Sequence, residues 1–68
     1  MKKYEYKLAS YSFNMGKLHS SDIIKAFNKE GADGWELVQW ELYEERLNIF
    51  NTKRISHVTS IWKREINN

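Results

Sequence analysis

The sequence predicts an α+β fold, a single β-α-β-β domain over residues 1–68 in which a three-stranded antiparallel sheet carries one helix packed on one face. Three observations predict it. Segments at about 3–11, 35–45 and 54–65 are rich in aromatic and β-branched residues and alternate apolar with polar positions. A segment at about 21–31 repeats its apolar residues at helical spacing. Sixty-eight residues leave room for one domain only.

Each element has its own local signal. In the first strand Tyr4, Tyr6 and Leu8 point one way, and Glu5, Lys7 and Ala9 the other. Phe13-Asn14-Met15-Gly16 then reads as a turn. Ser20 and Ser21 are suited to cap the free amides at the start of the helix, and Asp22 complements its dipole. Ile23, Ile24 and Phe27 form the helix's apolar stripe, and Gly31 is expected as its left-handed cap. Gly34 returns the chain into the second strand. Strict alternation there places Trp35, Leu37 and Tyr43 on one face and Val38, Trp40 and Leu42 on the other. A strand that is apolar on both faces needs both covered, and a single helix covers one. Asn48 and Asn51 suit a turn in the connection to the last strand, where Ile55, Thr59 and Ile61 face opposite to Val58 and Trp62. The simplest topology sets the last strand in the middle, with a right-handed helical crossover between the first two. Ile66-Asn67-Asn68 is a tail.

A chain of this length buries only about 60% of its unfolded surface, and small domains compensate with disulfides, metals or self-association. Cysteine is absent, which removes disulfides and thiolate metal sites. Aromatic residues make up 15% of the chain, so aromatic packing and self-association remain. The net charge of +2 permits an anionic partner without requiring one. No apolar run follows Met1-Lys2-Lys3 or approaches membrane-spanning length, so a cytoplasmic location with no membrane partner is expected.

The segments YEYKL, FNKEGADGWELV and IWKRE together resemble the DUF4177 family, a small bacterial and phage domain of unknown function. Its pattern runs YEYKVV, then LNELGAEGWELV, then a closing FKRE. Tyr4, Tyr6, Asn28, Gly31, Gly34, Trp35, Glu36, Leu37, Val38, Trp62, Lys63, Arg64 and Glu65 occupy the pattern positions. Leu8-Ala9, Phe27 and Trp62 depart from it, and the second hairpin is longer and lacks a glycine. The resemblance implies the α+β fold and a bacterial or phage source, and it implies no catalytic residues.

The chemistry-bearing residues give no enzyme signature. His19 and His57 lack the convergent spacing of a metal site, so no metal or cofactor is expected. Ser20 and Ser21 beside His19 are better explained as helix caps than as a nucleophile and base. Glu41, Glu44 and Glu45 read as a solvated edge. Gly31 and Gly34 follow a helix, whereas phosphate loops precede one. What remains is a basic and aromatic group comprising Trp40, Tyr43, Arg46, Lys53, Arg54, His57, Trp62 and Arg64, suited to stacking a base and pairing with oxyanions. The expected function is therefore a non-enzymatic binding protein acting as a homo-oligomer through Val38, Trp40 and Leu42. It would capture a small anionic, nucleotide-type ligand in an anti-defence or regulatory role. A protein-interaction module that inhibits a host factor is the alternative, and a weak nucleic-acid-binding domain ranks below both because the charge is low.

Overall fold

A computed structural model describes residues 1–14, 19–46 and 54–66, the side chains of Arg46 and Arg54 excepted. The expected turns at Met15-Gly16 and at Asn48 and Asn51, and most of the tail, lie outside the described residues. The elements are β1 (Tyr4–Asn14), α1 (Ser20–Ala32), β2 (Glu36–Arg46) and β3 (Arg54–Glu65). They form one sheet in the order β1-β3-β2, and β3 pairs antiparallel with both neighbours. The α+β class and the β-α-β-β order are those the sequence predicts.

Four local expectations are corrected. First, β1 runs to Asn14 instead of ending near residue 11, because Ser12, Phe13 and Asn14 continue the ladder opposite His57, Ser56 and Ile55. Second, the helix N-cap is His19, one residue before the serines. Asp22 accepts a hydrogen bond from the His19 backbone N–H at 3.0 Å, which satisfies one of the amides a helix start leaves free. Third, Gly31 lies within the helix, and the left-handed residue is Gly34 at φ 88°. Trp35 N–H bonds Glu30 O at 3.1 Å and Gly34 N–H bonds Gly31 O at 3.0 Å, the pair of bonds that defines a Schellman ending.

The fourth correction matters most for function. The β2–β3 register shifts between Leu37 and Gln39, leaving Val38 as an extra residue. Leu37 lies opposite Trp62, Trp40 opposite Ser60 and Leu42 opposite Val58. Leu37, Trp40 and Leu42 therefore share the helix side, while Gln39, Glu41 and Tyr43 share the open side. Trp40 and Leu42 do not face away from Leu37 as strict alternation requires.

The core sits between α1 and β3. Ile23 from the helix and Val58 and Trp62 from the central strand are its buried hydrophobic residues. Phe27 bridges helix and sheet, packing edge-on against Trp62 at 5.3 Å and Trp40 at 5.6 Å, with Tyr11 at 6.4 Å. Ser60 and Ser56 are also buried. Ser60 Oγ donates to Ala9 O at 2.9 Å and accepts from Trp62 Nε1 at 2.8 Å, so one hydroxyl ties β1 to the central indole.

Candidate functional site

The residues expected to form one ligand site do not come together. Trp40 and Trp62 lie on the helix side, joined through Phe27. Tyr43 and His57 lie on the open side, stacked at 5.0 Å and 26°. Arg64 is on the helix side at the far end of β3, and its guanidinium is engaged. Its Nε and Nη2 donate to Glu5 Oε1 at 3.1 and 2.6 Å, and Nη1 donates to Asp33 O at 3.1 Å. It also covers the Trp35 ring at 4.2 Å, with Lys7 Nζ at 4.6 Å from the same ring. Arg64 thus anchors the helix exit to the sheet. Lys53 and the side chains of Arg46 and Arg54 lie outside the described residues.

The open side of the sheet carries a polar row that crosses all three strands. Ser12 Oγ lies 3.0 Å from His57 Nδ1, and His57 Nε2 lies 2.7 Å from Glu45 Oε2. In the neutral tautomer that carries its proton on Nε2, that nitrogen donates to the Glu45 carboxylate and Nδ1 accepts from the serine hydroxyl. The order hydroxyl, imidazole, carboxylate matches that of an activated nucleophile. Such a nucleophile also needs donors aimed at a developing oxyanion. This row supplies a serine, an imidazole and a carboxylate, with Tyr43 against the ring, and it stitches β1 to β3 to β2. His57 was visible in the sequence as a candidate. Ser12 was missed because β1 had been expected to stop before it.

Around this row the open side is largely bare. Tyr6 is 64% exposed, Leu8 71% and Tyr43 56%. Lys63 Nζ sits 5.0 Å from the Tyr4 ring and 3.9 Å from Glu36 Oε2. On the helix side cover is incomplete as well, with Trp40 and Leu42 still 43% and 48% exposed.

A cavity of about 430 Å³ lies between β1 and α1, with Tyr11, Phe13, Asp22, Lys25, Lys29 and Glu30 in its lining. Lys25 and Lys29 stand one helical turn apart at its rim, and neither has an ion-pair partner among the described residues. Glu30 pairs with Lys7. The Tyr11 hydroxyl is buried beside them without a hydrogen-bond partner among the described residues. Burial first, and the Glu30 carboxylate second, push its pKa above the ordinary 10.0, with Lys7 pulling the other way. Among the described residues no group of three or more His, Asp and Glu side chains is placed to hold a metal ion. No described helix is long and apolar enough to cross a membrane.

Comparison with known families decides the relationship. The family model for DUF4177, a domain of unknown function, matches residues 4–65. The chain belongs to this family. The match runs from the first residue of β1 to the last of β3, so this DUF4177 domain is the whole three-stranded unit with its helix. No curated protein and no solved structure matches it.

Proposed function

We propose that this DUF4177 domain is a non-enzymatic binding protein that works as a homo-oligomer. The observation that carries the reading is its exposed area. A compact monomer of 8.2 kDa exposes about 4500 Å², whereas this chain exposes 5523 Å². The excess of roughly 1000 Å² is of the order that each partner buries in a standard interface, about 800 Å². Its radius of gyration of 15.1 Å likewise exceeds the roughly 11 Å of a compact chain of this length. Among the described residues a core of three buried hydrophobic side chains holds one helix on one face of the sheet and leaves much of the opposite face exposed. A second copy of the chain is the occupant that the area argument favours. Light scattering at micromolar concentration should give at least twice the chain mass, and the midpoint of thermal unfolding should rise with protein concentration. A single-chain mass at every concentration would refute the reading.

Capture of a small anion is supported by a different observation from the one the sequence suggested. The cavity between β1 and α1 has the volume of a small-molecule site, two lysines without an ion-pair partner among the described residues beside the Asp22 and Glu30 carboxylates, and the Phe13 side chain in its wall. An aromatic ring bearing a phosphate or carboxylate fits that chemistry. Addition of mononucleotides should raise the unfolding temperature, and Lys25→Ala with Lys29→Ala should abolish the rise. No shift with any mononucleotide would remove this reading and leave the first intact.

A further inference from the structure

The two edges of the sheet are built differently. Because β3 is central, β1 and β2 each have one side unpaired among the described residues. The β2 edge is guarded in two ways that natural sheets use against edge-to-edge pairing. The bulge at Val38 interrupts its ladder, and Glu36, Glu41, Glu44 and Glu45 give it acidic character along its length. Two such edges side by side would oppose like charges.

The β1 edge has neither device. It is eleven residues long with an unbroken register against β3. From Leu8 to Asn14 it contains no charged residue, no proline and no glycine. Its two charged residues, Glu5 and Lys7, are drawn inward to Arg64 and Glu30. No backbone hydrogen bond from another described element reaches its outer side. The same strand carries Tyr4, Tyr6 and Leu8 on the open face, three of the large apolar side chains left exposed. An unguarded edge and an apolar strip therefore coincide on one element, and nothing in its charge pattern from Leu8 to Asn14 opposes a copy of itself.

We propose that two copies of this chain join through β1 in antiparallel register, making one continuous six-stranded sheet about a twofold axis perpendicular to it. Pairing like with like closes the assembly at two copies, whereas pairing β1 with β2 would propagate into an open array. The twofold axis sets both helices on the same face and merges the two open faces into one surface. This inference rests on the self-association proposed above and names the element that carries it.

Residue-resolved hydrogen exchange on the wild-type protein, with mass measured in the same solution, tests it. The outward amides of β1 should exchange at least roughly 100-fold more slowly than the outward amides of β2. Placing a lysine on the strand by Ser10→Lys should about halve the measured mass while the far-ultraviolet circular dichroism keeps its shape. An assembled protein whose β1 and β2 outward amides exchange equally fast overturns the β1 contact and leaves self-association standing. A single-chain mass in the wild type overturns both. Should Ser10→Lys fail to fold, the exchange pattern of the wild type decides alone.

Discussion

Gly31 and Gly34 stand on either side of the helix end, and their backbones make opposite demands. Gly34 has φ 88°, a conformation that costs an L-residue about 1–2 kcal/mol. Gly31 is helical, and a Cβ built on it meets nothing within 4 Å. Gly31→Ala should therefore stabilise the fold by roughly 0.5–1 kcal/mol through helix propensity and a less flexible unfolded chain. Gly34→Ala should destabilise it by about 1–2 kcal/mol. Urea unfolding of the two variants checks the sign of each. The sequence points to a left-handed glycine at this helix end but favours Gly31, the first glycine after the helical run, where the structure has Gly34. The choice is made by the Schellman bonds to Gly31 O and Glu30 O, which depend on where the chain turns toward Arg64 and Trp35.

At the scale of elements, β3 is held by polar bonds inside an apolar setting. Ser60 is fully buried, and its hydroxyl serves both the Ala9 carbonyl and the Trp62 indole. Ser60→Ala would remove the acceptor of the buried Trp62 indole N–H and should cost about 1–3 kcal/mol. Denaturant unfolding followed by tryptophan fluorescence would show it, and an unchanged midpoint would remove Ser60 from this role. The three strands, the helix and their order were legible because alternation and helical spacing are local signals. The bulge was not. Leu37-Val38-Gln39-Trp40 contains three apolar residues in four, so the pattern fits either face at each step, and only pairing with β3 shows that Val38 is supernumerary. That one residue reassigns Trp40 and Leu42 to the helix side. The aromatic and basic residues that the sequence suggested as one site are separated by alternation itself, which turns Tyr43 away from Trp40 on β2 and His57 away from Trp62 and Arg64 on β3. The cavity beside Lys25 and Lys29 was equally hidden, since it depends on how far β1 extends past Tyr11.

The whole molecule is long and thin, with principal extents of 55 × 20 × 13 Å. A layer of this thickness has little interior, which is why the stability of this DUF4177 domain should depend on its concentration as the assembly proposed above requires. The strand order adds a constraint on how such a molecule is made. Both β1 and β2 pair only with β3, and the ladder joins Tyr4 to Glu65. When the ribosome has delivered β1, α1 and β2, none of the sheet's hydrogen bonds can yet form. A thirteen-residue helix is marginal by itself. The sheet can therefore form only after β3 has been made, and until then the uncharged stretch from Leu8 to Asn14 lacks the strand it pairs with.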